Sequence, residues 1–153
     1  MLMLLLAAQA VTPLLHFQGS AARLAFWVWL ATFPIMVATT VLNWRQPGMW
    51  LLGFGLALNM VVIAANGGMP VSPLAVQTIQ GASATIRIPA TDFVHVAAGS
   101  STIMPWLADV LPIPGPSWLR SVASAGDCML AAGICSYLAC CSPDAARKTH
   151  LRA

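Results

Sequence analysis

Charge is what this sequence has least of. Of its 153 residues, 59% are hydrophobic and only 7% are charged, and the net charge is +3. A soluble domain typically carries about 25% charged residues, so seven basic and four acidic side chains cannot cover a water-facing surface. Together with a mean hydropathy of +0.80, this composition indicates an integral membrane protein.

Several motifs that carry chemistry are also missing. No Lys and Arg patch with interleaved aromatic residues occurs, which argues against nucleic acid as a partner. The cysteines include no C-x-x-C pair, so neither a redox site nor a zinc site is indicated. There is no G-x-S-x-G, no Gly-rich phosphate loop and no H-E-x-x-H. The sequence therefore predicts no catalytic residue, no cofactor and no metal, and a protein that is not an enzyme.

Four apolar stretches approach or reach the roughly 17–25 residues that a helix needs to cross a bilayer. They cover residues 1–17, 24–42, 48–65 and 118–141. The first contains Ala8-Gln9-Ala10, which resembles a signal-peptide cleavage site, but a positively charged n-region is missing. We expect an all-α membrane protein with about four transmembrane helices in a single domain, a structured connection at 66–117 and a basic tail at 142–153.

The positions of Lys and Arg predict the orientation, because cytoplasmic loops are enriched in these residues. Placing both termini in the cytoplasm puts Arg45 and the three cations of the tail on that side. The opposite orientation places only Arg23, Arg87 and Arg120 there. We therefore expect a multi-pass protein of the cell membrane with both termini in the cytoplasm and the 66–117 connection outside.

The long connection should have structure of its own, because featureless loops of this length are uncommon in compact domains. The end of the third apolar stretch, Asn66-Gly67-Gly68, is typical of a helix stop. Ser72-Pro73 is typical of a helix start and predicts a short helix to about Gln80, with Gly81 as its stop. The alternate prolines at 111–116 predict an extended, polyproline-like segment.

The order of four short motifs resembles that of one known family. These motifs are NGGMPVSP at 66–73, HV at 95–96, WLADVLPIP at 106–114 and GD at 126–127. Over residues 24–141 the chain is similar to a family of small bacterial integral membrane proteins known only as a domain of unknown function. The resemblance implies a membrane fold, and it brings no established activity, substrate or cofactor.

Polar residues are few enough that each is a candidate for a site. The candidates are Asn66, Asp92, His95, Asp109, Arg120 and Asp127. A carboxylate such as Asp127 costs roughly 2.5–3.5 kcal/mol at the centre of a spanning helix, so it usually has a partner or a function. Its S-x-x-D spacing from Ser124 favours a capping box in the first turn of a helix, and an ion, proton or ligand role is the alternative.

The remaining polar groups of the connection should pair with one another. Bidentate contacts between arginine and carboxylate groups are favoured in apolar surroundings. We therefore expect an ion-pair network of the carboxylates with two arginines, formed by Asp92, Asp109, Asp127, Arg87 and Arg120. A metal or haem held by His95, His16 and Asp92 is the weaker reading, since no ligand spacing motif is present.

The fourth apolar stretch carries small residues at every fourth position. This small-residue stripe consists of Cys128, Ala132, Ser136 and Cys140. Such a face lets membrane helices pack closely, and here it predicts contact with another helix of the chain or with a partner.

Three functions follow from these features. The leading hypothesis is an accessory or structural subunit that contacts lipids and a larger membrane protein, or a second copy of itself. The alternative is a small transporter or channel-like protein with a polar site near Asp127 and the outer connection. The third is a membrane enzyme that acts on a lipid through Asp92, His95 and Asp109.

Overall fold

The computed structural model describes residues 2–12, 17–81, 83–89, 91–116 and 119–140, which are mostly helical. Five helices lie in these residues: α1 (Leu2–Val11), α2 (Gly19–Leu42), α3 (Met49–Asn66), α4 (Pro73–Gln80) and α5 (Ala125–Cys140). Four strands lie there as well: β1 (Met69–Val71), β2 (His95–Ala97), β3 (Leu111–Ile113) and β4 (Ser121–Ala123). A single 3-10 turn covers Pro105–Leu107.

Two of the described helices are long and apolar enough to cross a membrane. These are α2 with 24 residues and α3 with 18 residues, and they contain the second and third predicted spans almost completely. Helix α1 has 10 described residues and α5 has 16, so the described part of each is shorter than a spanning helix. Part of the first predicted span (residues 1 and 13–16) and all of the basic tail (142–153) lie outside the described residues.

The prediction of an all-α fold with a fourth span at 118–141 is confirmed in part, since the described residues are mostly helical, and the structure departs from it in two respects. Residues 121–123 form β4, which pairs antiparallel with β3, so the helix begins only at Ala125. The connection also contains short strands, whereas only helical pieces and an extended segment were expected. A short apolar run fits a buried strand as well as a helix end, and periodicity alone does not separate them.

The helix-stop and helix-start residues that follow α3 correctly predict the conformation of the backbone there. Gly67 adopts the left-handed conformation that ends α3, with φ 69°, and the Gly68 N–H bonds back to the Ile63 carbonyl at 3.1 Å. The Ser72 hydroxyl accepts a hydrogen bond from the Ala75 N–H at 3.4 Å, and α4 starts at Pro73 and ends before Gly81. The prediction of a short capped helix in this segment is therefore confirmed.

Parallel pairing brings distant parts of the connection together beside α3. Strand β1 pairs in parallel with β2, with Met69 opposite His95. On the other side of β1, Val71 forms a parallel bridge with Asp109. The prolines of β3 lie in an extended segment as predicted, although this segment is paired rather than a free polyproline stretch.

Helix α3 lies between α2 and α5, and glycines set its distance from α5. A Cβ atom on Gly55 would lie 2.6 Å from the Gly126 carbonyl oxygen. A Cβ atom on Gly133 would lie 2.9 Å from the Gly48 carbonyl oxygen. The buried residues of α5 are Gly126 and Gly133. The two backbones are therefore in direct contact, as in closely packed membrane helices.

The small-residue stripe of α5 is a different face. Cys128, Ala132 and Cys140 are exposed and Ser136 is partly buried. The contact with α3 includes the two buried glycines, and of the stripe only the partly buried Ser136 lies beside it, next to Gly48. A role for the stripe in binding a partner stays a prediction.

Substitution of Gly133 tests the contact between α3 and α5. We expect Gly133→Ala to lower the free energy of unfolding by about 1–3 kcal/mol, because a methyl group there overpacks the interface. Ala131→Val is the matched control, since Ala131 is exposed on the same helix. The free energy of unfolding is measured by titrating the purified protein in micelles with a denaturing detergent. Equal stability of the two variants would contradict this packing.

Candidate functional site

The start of α5 is a reciprocal capping arrangement. The Asp127 N–H donates to the Ser124 hydroxyl at 3.0 Å, and the Ser124 N–H donates to Asp127 Oδ2 at 3.0 Å. These two bonds form the capping box that the S-x-x-D spacing predicts. The carboxylate also lies in the first turn of α5, where the positive end of the helix dipole stabilises it.

An amide from α3 completes this cluster. Asn59 donates from Nδ2 to Asp127 Oδ1 at 2.7 Å, and its Oδ1 accepts from the Ser124 hydroxyl at 3.0 Å. Both Asn59 and Ser124 are buried, at 6% and 0% exposure. Each carboxylate oxygen of Asp127 therefore has a donor, and the cluster ties the start of α5 to the middle of α3.

Asp109 is held in place by its backbone while its side chain is left without a hydrogen bond. Its N–H donates to the Pro70 carbonyl and its own carbonyl accepts from the Ser72 N–H, both at 2.9 Å. The residue is 6% exposed, and its Oδ1 atom has no hydrogen-bond partner within the described part of the chain. Burial raises the pKa of Asp109 to about 7, and the nearby Asp127 carboxylate contributes in the same direction, while His95 opposes the rise.

Asp92 orients the imidazole of His95. Asp92 Oδ1 accepts hydrogen bonds from the N–H groups of Val94 and His95 at 2.9 and 3.1 Å, and Oδ2 lies 2.9 Å from His95 Nδ1. Burial raises the pKa of Asp92, but the hydrogen bond with the imidazole and the two amides outweigh it, so the pKa lies below 3.8. Since an ionised Asp92 can only accept, Nδ1 of a neutral His95 carries the hydrogen and Nε2 is left as the acceptor.

These polar groups border two neighbouring cavities. An inner cavity of about 280 Å³ lies between the helices and the connection. Its polar lining consists of Gln9, Asn59, His95, Asp109 and Asp127. An open cleft of about 360 Å³ lies on the other side of the connection. Its polar lining includes Gln80, Thr85, Arg87, Asp92, His95, Asp109 and Ser121.

Two of the six candidates lie apart from this site. Asn66 fastens the connection to the end of α3, because its amide exchanges two hydrogen bonds with the backbone of Ile103 at 2.8 and 3.0 Å. Arg120 is exposed and donates from Nε to the Gly115 carbonyl at 3.4 Å.

The predicted ion-pair network is absent from the part of the chain that the structure describes. The one contact of this kind found there joins Asp92 and His95, and it is an ion pair only while the imidazole is protonated. Backbone amides, the Asn59 side-chain amide and the His95 imidazole take the place of guanidinium groups at Asp92 and Asp127. Among the same residues, no three His, Cys, Asp or Glu side chains are arranged to hold a metal ion. His16, the other ligand considered, lies outside them.

Asn59 is the site residue that the sequence indicated least. It is the sole polar side chain in α3 apart from the terminal Asn66. A lone amide in an otherwise apolar helix was the available signal, because a buried amide needs hydrogen-bond partners. Its partner Asp127 lies 68 residues away along the chain, which no local pattern reveals.

The pKa of Asp109 predicts a particular pH dependence of stability. Because its value of about 7 exceeds the ordinary 3.8, the folded protein binds more protons than the unfolded chain between these pH values. The free energy of unfolding should therefore fall as pH rises from about 4 to about 7 and level off above that. We expect Asp109→Asn to flatten this slope in thermal unfolding measured in micelles. Asn66→Ala is the control, since its side chain does not titrate and bonds the backbone of Ile103 away from the site. An unchanged slope in Asp109→Asn would contradict the assignment.

Comparison with known proteins establishes the family. No curated protein and no solved structure matches the chain. The model of a family of unknown function, DUF5317, matches residues 1–139. The expected membership in a family of unknown function is thereby confirmed, and the chain belongs to DUF5317.

Proposed function

We propose that this chain is a small multi-pass membrane protein that binds a proton or a small cation in its inner cavity and moves it across the membrane. The observation that carries this proposal is the buried, unpartnered Oδ1 of Asp109 at a cavity that Asp127 also lines. The function is thus that of a small transporter or channel-like protein.

Embedding in a membrane is supported by the surface of the two long helices. Large apolar side chains are exposed along α2 and α3, among them Leu24, Trp27, Val28, Ile35, Trp50 and Phe54. Exposed apolar surface of this extent is unfavourable in water and favourable in lipid. We place both termini in the cytoplasm and the connection outside, so that the cleft faces the outer solution.

The charge balance of the inner cavity favours a cationic ligand. Two carboxyl groups line it, and neither Lys nor Arg is among its described lining residues. A buried carboxylate without a partner is costly, and its neutralisation by a proton or a cation removes that cost. Asp127 already receives hydrogen bonds at both oxygens, so Asp109 is the group that gains most from a ligand.

Flux measurements in vesicles test this function. The protein is reconstituted into vesicles of phosphatidylcholine and phosphatidylglycerol that contain a pH-sensitive dye, and a potassium diffusion potential drives cation entry. We expect wild-type protein to carry proton or cation current. Asp109→Asn should reduce the current to that of protein-free vesicles, because the amide cannot take up a positive charge at this site.

The control for this experiment is Asn66→Ala, which alters the connection away from the cavity. Its current should stay close to wild type. A lack of proton, sodium and potassium flux through the wild-type protein would contradict the proposed function.

A second candidate, an accessory subunit, is favoured by the exposed small-residue stripe of α5. The observation is that Cys128, Ala132 and Cys140 are uncovered within the described chain although small residues suit close helix contact. Here the stripe binds a second copy of the chain or a larger membrane partner.

Single-cysteine variants test this candidate. We expect oxidation in native membranes to cross-link a variant that retains only Cys128, because a stripe contact brings this residue close to its equivalent in a second copy. A variant that retains only Cys135, which is exposed but outside the stripe, should cross-link less. Ala132→Leu should reduce the Cys128 product. A lone monomer in mild detergent, without cross-linking or a copurifying partner, would contradict the accessory role.

A further inference from the structure

We infer that the ligand of the inner cavity is a proton and that His95 passes it from the open cleft to Asp109. This inference rests on the proposed function and names the ligand and its route. It is carried by the positions of His95 and Asp109 between the two cavities.

The two cavities meet at these side chains. Of the described residues that line the cleft and the inner cavity, His95 and Asp109 are the two that line both. A proton that moves from the cleft to the cavity therefore passes an imidazole and a carboxyl group. Both groups can accept and release a proton, which is the property required of a relay.

The hydrogen bond to Asp92 prepares the imidazole for this step. With Nδ1–H donated to Asp92, Nε2 is the free acceptor. A proton from the cleft binds at Nε2 and gives an imidazolium that the Asp92 carboxylate stabilises. Transfer of a proton from Nε2 to Asp109 Oδ1, directly or through water, restores the neutral imidazole and leaves Asp109 as the acid. Charge and protons balance, and Asp92 remains ionised throughout.

The surrounding charges fit a proton better than a metal cation. Asp92 is hydrogen-bonded to His95, Arg87 lines the cleft with them, and Asp127 of α5 lines the inner cavity with Asp109 and acts on its charge. Hard metal cations need several oxygen ligands at once, whereas the oxygens of Asp127 already accept hydrogen bonds. A proton needs one oxygen, and Asp109 Oδ1 is available. The raised pKa of Asp109, about 7, also lets it release the proton near neutral pH.

Chemical rescue tests the relay. In the vesicle assay, we expect His95→Ala and His95→Gln to lower proton flux by about 100-fold, the scale at which a positioned proton-transfer group contributes. Imidazole added to the solution on the cleft side should restore flux in His95→Ala, where it fills the space of the ring. It should restore little in His95→Gln, whose side chain occupies that space. Thr78→Ala is the control, because Thr78 is exposed on α4 and lines neither the cleft nor the inner cavity.

Asp92 is a positioning residue that acts through His95, and the pH dependence of the flux tests its role separately. We expect Asp92→Asn to move the half-maximal proton flux to lower pH, because the imidazolium loses its anionic partner. A purely structural role would lower flux at every pH without such a shift. Circular dichroism and gel filtration of each variant establish that it is folded.

The outcomes separate the relay from the proposed function. Proton flux that requires Asp109 but is unaffected in both His95 variants overturns the relay and leaves the proposed function standing. Sodium or potassium flux without acidification of the vesicles overturns the proton as ligand. A lack of any flux in the wild type overturns both. Loss in the His95 variants together with rescue by imidazole supports both.

Discussion

The contact between the start of α5 and the middle of α3 is the constraint on which the rest of the structure depends. Gly126 lies against the Asn59 amide and the Gly55 carbonyl so closely that a side chain at position 126 would displace them. This approach lets Asn59 reach both Ser124 and Asp127. The capping cluster then fixes where α5 begins. The residues just before it become available as β4 to pair with β3, and so the cluster also positions the end of the connection.

The two carboxyl groups at the inner cavity differ in their hydrogen bonding. This difference gives Asp127 a structural role and leaves Asp109 for the proposed function. Asp127 accepts hydrogen bonds from a backbone amide and from Asn59, and it holds two helices together. Asp109 is oriented by backbone hydrogen bonds alone, and its buried Oδ1 has none within the described chain. Natural proteins rarely leave a buried polar atom unsatisfied without a reason. Under the proposed function, Asp109 is therefore the residue at which a ligand would change the energy of the protein most.

The rules for helix caps and stops, which concern residues close together in the sequence, predicted the corresponding parts of this fold. The stop at Gly67, the cap at Ser72 and the spacing from Ser124 to Asp127 all have the expected geometry. The strands were not predicted, because they arise from pairing between segments that are distant in the sequence, and β4 occupies residues that the apolar pattern assigned to the fourth span. The candidate site could likewise be predicted only in part from the sequence. The sequence marked its carboxylates and His95 as unusual in apolar surroundings, but their arrangement around one cavity, with Asn59, required the fold.

All four sequence motifs contribute residues to this one site. The corner after α3 matters for the proposed chemistry because it holds the residues that would carry it. The Met69 N–H donates to the Val94 carbonyl at 2.7 Å, which places His95 beside β1. Pro70 and Ser72 bind the backbone of Asp109 on the other side of the same strand. The uncharged corner at 66–73 thus holds an imidazole and a carboxyl group at fixed positions without contributing a charge itself. Such rigid support keeps Asp109 buried and unpaired, because backbone hydrogen bonds, and not a counter-ion, hold it in place.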